Sequence, residues 1–388
     1  MSKALNENLK EYKISEIPYI RLMGRNVKDV LKSGKPVPLF WSASCLEVKA
    51  KSGEVWALVE TDYSIYEVWL TVWINGRIVS RFMAEKGKNW ICLCRGFSAE
   101  TVNSVRLMRD TQAMSEDPDQ ICLVHAFALQ KSGSFQPVDE KKLKIEFVGD
   151  SLTSGEGLYG SISEQEWIST WISGSKTYAV RTAEALNAEF SVLSACGWGI
   201  ISGWNNNIFT VIPPYYEQIC GLCKGEKQKQ LGSIDKFDFS GIDNDFVFIY
   251  LGANDHGAFF NPPWVHDGKE YKLRQNPDGS FLEEDAMKVA YGVRDFLKVV
   301  RRNNPDSRLC WLWGTLDMPE LSPYLEKGFA MYIEETGDKK ADILQMPSQS
   351  LEKEDEDKGS RSHPGPLSHK NASQKLIEYC HRFMGYSK

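Results

Sequence analysis

Long apolar runs are missing from this 388-residue chain: none approaches the roughly 18 residues that a membrane-crossing helix needs. The stretch from Met1 to Tyr19 holds no apolar segment followed by a small-residue cleavage site, so the sequence reads as a cytoplasmic protein. A surplus of positive charge is missing too. Lys and Arg total 46 against 52 Asp and Glu, a formal net charge of −6, which gives no footprint for nucleic acid or an anionic membrane and leaves a neutral or small partner. Cysteine is sparse, with nine residues in no regular spacing; this excludes a disulfide scaffold in favour of reduced, mostly buried thiols. Hydrophobic residues, by contrast, make up 42% of the chain and aromatics 12%. That is enough for one large domain or two ordinary ones, and it rules out disorder.

From Val37 to about Gln130 the grammar is that of short strands. Val68, Leu70, Val72 and Ile74 alternate with Trp69, Thr71 and Trp73 ahead of Asn75-Gly76, a dipeptide suited to a type I′ hairpin turn. Further β-rich runs at Trp90 to Cys94, Val102 to Met108 and Ile121 to Leu129 predict an antiparallel sandwich or jelly roll, and Lys131 to Pro137 reads as a linker. Beyond it the chain alternates strands and helices. Leu143 to Val148, Phe190 to Leu193, Phe246 to Leu251, Leu309 to Gly314 and Ala341 to Leu344 are compact apolar runs; helical patterns cover Thr177 to Ala188, Glu283 to Arg302 and Ala372 to Met384. Near-continuous apolar strands belong in a parallel sheet covered on both faces. The domains are therefore set at 1–137 and 138–388. No internal repeat is found, and the acidic run Glu352 to Asp357 reads as a solvated loop.

In an open parallel sheet, ligands bind outside the carboxyl ends of the strands, so the residues that follow each strand are the informative ones. The first strand runs into Gly149-Asp150-Ser151-Leu152, which puts a hydroxyl at a strand-to-turn junction. Ser151 is the candidate nucleophile, with an ordinary Gly/Ser turn as the alternative. The second ends in Ser194-Ala-Cys-Gly-Trp-Gly-Ile200, where Gly199 is a candidate backbone donor to an oxyanion. The third ends in Gly252-Ala-Asn254-Asp255-His256, where Asn254 supplies an amide donor or caps a turn. After the last strand come His363-Pro364 and then His369. A hydroxyl nucleophile needs a base of pKa near ~6.5 and donors aimed at the oxyanion, and those types stand at successive strand ends of one sheet.

At these residues the sequence resembles the SGNH hydrolase superfamily, the GDSL esterases: Gly149-Asp150-Ser151-Leu152 is similar to its first block, Gly199 to the second, Gly252-x-Asn254-Asp255 to the third and His363-Pro364 to the last. The resemblance covers about residues 141 to 388. A preceding β-sandwich, and the look of Cys196 to Ile200, further resemble carbohydrate esterase family 2, whose members remove acetyl groups from sugars such as xylan or mannan. The resemblance implies a three-layer, doubly wound, flavodoxin-like sheet behind an antiparallel sandwich. It also implies Ser151 as nucleophile, His363 as base, an oxyanion hole of Ser151, Gly199 and Asn254, and no cofactor or metal. Asp150 and Asp255 are supporting residues. One position departs from the superfamily: where an Asp usually precedes the catalytic His by three residues, this chain has Ser360. Family 2 esterases are similar in often working with a Ser-His dyad, so a dyad is expected here.

The function expected is serine ester hydrolysis that removes O-acetyl groups from acetylated oligosaccharides. The alternatives are a lipase or small-ester esterase of the same superfamily and a carbohydrate-binding protein without turnover. Of Trp167, Trp171, Trp198, Trp204 and Trp264, packing accounts for most, while Trp198, Trp204 and Trp264 are the candidate substrate contacts, the first two because they flank the second block. Asp255 to Phe281, with His256 and His266, is a long connection suited to a rim or a surface loop. Cys220-Gly-Leu-Cys223 has redox or half-zinc-site spacing but no second pair, so packed thiols are expected.

Overall fold

The computed structural model describes residues 5–349 and 357–384, and the chain divides into two compact units. One comprises the chain through Lys142 together with Ile168–Ser175 and Glu217–Asp238; the other comprises Leu143–Trp167, Lys176–Tyr216 and the chain from Phe239 onward. Of the acidic run, Glu352, Glu354, Asp355 and Glu356 lie outside the described residues. Asp357 lies inside them and is fully buried, against the expectation of a solvated loop.

The first unit is two antiparallel sheets around a shared apolar core. One sheet runs Leu9–Lys13, Ile121–Gln130, Glu54–Asp62, Gly87–Arg95; the other runs Ser134–Gln136, Cys45–Lys51, Val102–Arg109, Trp69–Ile74, Arg77–Met83. Period-2 alternation turns Val48, Leu107 and Val72 of one sheet and Val55, Val124 and Phe127 of the other into that core. The turn at Asn75-Gly76 has both residues left-handed, φ 49° and 76°, as a type I′ hairpin requires. The expected linker is partly strand. Ser134–Gln136 pairs with Lys49 to Lys51, and Phe135 packs on the core, so an apolar side chain in a Gly/Ser-rich stretch draws it onto the sheet edge. In the segment Glu217–Asp238, Cys220 and Cys223 are buried with their sulfurs 3.6 Å apart.

The second unit carries five parallel strands: β1 (Leu143–Gly149), β2 (Ala188–Ser194), β3 (Phe246–Tyr250), β4 (Arg308–Trp313) and β5 (Ala341–Gln345), in the order β2-β1-β3-β4-β5. Every residue of β3 is buried, as its unbroken apolar run demands. The helices are α1 (Ser151–Ser154), α2 (Tyr178–Ala185), α3 (Ala253–Phe260), α4 (Glu283–Asn303), α5 (Ser322–Thr336) and α6 (Pro366–Phe383); α2 packs on α6 and α4 on α5. This is the three-layer doubly wound arrangement. The chain leaves β1 for β2 on one side and returns to β3 on the other, so the topological switch point lies between the carboxyl ends of β1 and β3. None of the described helices is long and apolar enough to cross a membrane.

Candidate active site

The switch point is where the polar residues gather. Asp150 caps α1, its Oδ1 accepting the Leu152 N–H at 3.1 Å, and this sharp exit from β1 sets Ser151 at the helix start. His363 comes from the other end of the domain. It sits on a tight turn in which the Gly359 N–H donates to the His363 carbonyl (2.7 Å) and the His363 N–H to the Ser360 carbonyl (3.1 Å). The two loops meet backbone to backbone through the Ser360 N–H and the Gly157 carbonyl at 3.2 Å. That approach requires glycine on both sides. A Cβ on Gly157 would stand 2.8 Å from the Ser360 carbonyl, and one on Gly359 would stand 2.1 Å from the Gly157 carbonyl.

The result is a hydrogen bond of 3.0 Å between His363 Nε2 and Ser151 Oγ, joining residues 212 apart in sequence. Among the described residues the buried imidazole Nδ1 has no hydrogen-bond partner; nor have the buried Ser360 hydroxyl and Asp357 carboxylate. The Asp357 backbone carbonyl accepts from Gly365 N–H (2.5 Å) and Ser368 Oγ (3.1 Å), which holds that residue in place whatever its side chain does. The one carboxylate within 4 Å of the imidazole among the described residues is Glu156, whose Oε2 lies 3.5 Å from Nε2. His369, the other histidine of the region, is buried and accepts the Tyr178 N–H on Nδ1 at 3.0 Å; burial, with Arg181 and His363 nearby, pulls it down to about 3, so it stays neutral.

Asn254 lies in the first turn of α3 beside Asp150. Its Nδ2 donates to the Trp198 carbonyl at 2.9 Å and, more weakly, to Asp150 Oδ2 at 3.3 Å. Asp255 organises the second block, accepting from the N–H groups of Ile200, Ile201 and Ser202 at 2.8, 2.8 and 3.1 Å. Burial pushes Asp150 up to about 7, with the charges of Asp255 and Glu156 adding to it. Burial likewise pushes Asp255 up to about 6, against the pull of its three backbone donors.

Two expected site residues stand differently from the sequence reading. The Gly199 N–H, expected as an oxyanion donor, is engaged with the Thr210 carbonyl at 3.1 Å in a short parallel bridge to Val211. Trp198, expected to face a ligand, is 7% exposed and packs on Tyr215 with ring centroids 5.5 Å apart; its contribution to the site is its carbonyl. Trp204 is 49% exposed. Trp264 lies on a hairpin, Trp264–His266 with Lys269–Tyr271, and there stacks on His266 at 5.0 Å and meets the edge of Phe209. The expected long connection is thus helix and hairpin for much of its length. Sequence reading missed Glu156 and Arg361. The signal available was an acid four residues past the first block, in Gly155-Glu156-Gly157, and a base two residues before the last.

No family model matches the chain. An acetyl xylan esterase from the rumen bacterium Butyrivibrio proteoclasticus is 37% identical, with a TM-score of 0.92 over 98% of this chain and 100% of that one. A family two carbohydrate esterase from Clostridium thermocellum, solved in complex with cellohexaose, is 20% identical with a TM-score of 0.74 over 94% of this chain and 99% of that one. The cellulase/esterase CelE of Acetivibrio thermocellus is 23% identical over 283 residues, 71% of this chain, and the match spans 29% of that longer protein. With so similar a relative matched end to end, and the serine and histidine brought together at the switch point, the chain belongs to carbohydrate esterase family 2 of the SGNH hydrolases.

Proposed function

We propose that the protein is a serine esterase that removes O-acetyl groups from acetylated oligosaccharides, such as fragments of xylan or mannan, by a Ser-His dyad. The observation that carries this reading is the 3.0 Å contact between His363 Nε2 and Ser151 Oγ at the sheet's switch point. Ser151 Oγ bonds to the acetyl carbon as its proton passes to Nε2. The tetrahedral intermediate then collapses, the bond to the sugar oxygen breaks, and the Nε2 proton goes to that oxygen. Water repeats the sequence and returns a proton to Oγ. The oxyanion is met by the Ser151 N–H and by the Asn254 amide hydrogen whose present contact, with Asp150, is the longer of its two. Gly199 joins them only where its contact with Thr210 opens. Nε2 acts as the base when the ring proton sits on Nδ1, and no carboxylate among the described residues accepts a hydrogen bond from Nδ1, which supports the dyad.

An exposed Trp204 and the Trp264 hairpin suit a saccharide, since aromatic faces stack on sugar rings. The deciding experiment is acetate release from a panel of acetylated xylo- and manno-oligosaccharides, compared with longer acyl esters and with Ser151→Ala. Preference for long chains would make the protein a lipase. Saccharide binding without acetate release would make it a lectin-like relative.

A further inference from the structure

We infer that Glu156 is a positioning residue whose carboxylate supplies a negative charge from the Nε2 side of His363, where Nδ1 has no hydrogen-bond partner among the described residues; the inference rests on the esterase reading above. Three segments converge on this one buried side chain, which is 5% exposed. Its Oε1 takes Arg361 Nη1 at 2.6 Å, from the loop that carries His363. The half-buried Cys196 thiol, just past β2, donates to the same carboxylate. Its own N–H donates to the Ser151 carbonyl at 3.0 Å, so the group moves with the nucleophile. With Oε1 held in this way, Oε2 faces His363 Nε2 at 3.5 Å, while Ser151 Oγ sits closer, at 3.0 Å.

The arrangement keeps the two jobs apart. The proton leaving Ser151 goes to Nε2 and on to the sugar oxygen; Glu156, farther off and anchored by a guanidinium, accepts no proton. Its charge lowers the energy of the imidazolium that exists between those transfers, as any opposite charge within about 4–6 Å does. Arg361 enforces the position at a local cost, because Arg361 and Ser362 both adopt left-handed backbone, φ 55° and 58°, which non-glycine residues avoid. The other titratable and charged groups of the packed elements include Asp150, Cys196, Asp357, Lys358, Arg181 and His369, of which His369 is held neutral by burial.

The test uses the whole chain with a small acetyl ester, following kcat, KM and the pH dependence of kcat/KM. Glu156→Gln is expected to lower the plateau kcat at least about tenfold with KM little changed, since the charge matters only once the imidazolium forms. Its acid limb should move to lower pH by about half a unit or more, because an imidazole without its anion protonates less readily. Arg361→Met, which removes a cation whose side chain is one-third exposed and so serves even where Glu156→Gln fails to fold, should move that limb to higher pH. Opposite displacements for opposite charges are what a packing defect cannot imitate. A lowered kcat with an unmoved limb in Glu156→Gln, or limbs moving the same way in both variants, overturns the inference and leaves the esterase standing; no activity in the unmodified protein overturns the esterase reading itself.

Discussion

The first consequence of the site lies in single side chains whose surroundings decide their use. Ser151→Ala is expected to abolish acetate release with the thermal transition unchanged, because it removes one hydroxyl and no packing; His363→Ala should be as damaging. Retained turnover in either purified variant would remove the nucleophile or the base from the mechanism. Asn254→Ala should lose about 2.7–4 kcal/mol of transition-state stabilisation, read as kcat, with a smaller change in KM. Asp357→Asn and Ser360→Ala probe the dyad. Both side chains are buried in the His363 turn without partners among the described residues, and each substitution should cost less than about tenfold in kcat, or ~1.4 kcal/mol; a loss from Asp357→Asn as large as that of His363→Ala would establish Asp357 as a third member. The two tryptophans of the second block separate in the same way. Trp198→Ala should destabilise the fold by about 3–5 kcal/mol, as core aromatics do, whereas Trp204→Ala should leave the melting temperature alone and raise KM for acetylated oligosaccharides but not for a small acetyl ester.

At the scale of elements, the meeting of two loops sets the distance between Ser151 and His363. Gly157 has a φ of 83° and lies against Ser360 and the Cβ of His363, so Gly157→Ala should push His363 away from Ser151. The expected result is a folded protein with kcat reduced by about a hundredfold, the scale of a 1 Å misplacement, and KM for small esters nearly unchanged. All five parallel strands were legible as apolar runs, and the helix Glu283–Asn303 as an amphipathic pattern. The helix Ser322–Thr336 was not. Gly328 interrupts its apolar positions, and that gap is where it rests on the Ala290 backbone of α4, a reason visible only once both helices are in place. The hairpin Trp264–Tyr271 escaped likewise, since strands of three residues held by aromatic contacts leave almost no periodic signal.

At the scale of the whole molecule, the buried acids tie stability to pH. Asp150 and Asp255 stand at about 7 and about 6 in the folded protein against an ordinary 3.8. Between those values the folded state holds protons that the unfolded chain has released, so their contribution to stability is present at acid pH and is lost as pH rises from about 4 to 7. His369, held down to about 3, works in the opposite sense by refusing a proton that the unfolded chain accepts. The wild-type slope mixes the two. The difference isolates one: the melting temperature of Asp150→Asn relative to wild type should rise steadily from about pH 4 to 7 and level off above it, and a difference independent of pH would mean that Asp150 is not held protonated.

The sequence by itself determined the class of fold, the succession of the second unit's strands and the four chemical types at the sheet edge, because alternation, apolar runs and turn residues are local properties that each segment carries alone. It placed Ser151, Asn254 and His363 in one reading for the same reason: each follows or closes a recognisable element. Tertiary structure decided everything that depends on who stands next to whom. Whether Gly199 keeps its N–H for a ligand depends on Thr210, eleven residues away. Whether Trp198 faces solvent depends on Tyr215, and whether Asp357 is solvated depends on the turn that buries it. Glu156 and Arg361, 205 residues apart, are an ordinary acid and an ordinary base until the folded sheet brings the Ser151 loop and the His363 loop within a hydrogen bond of each other.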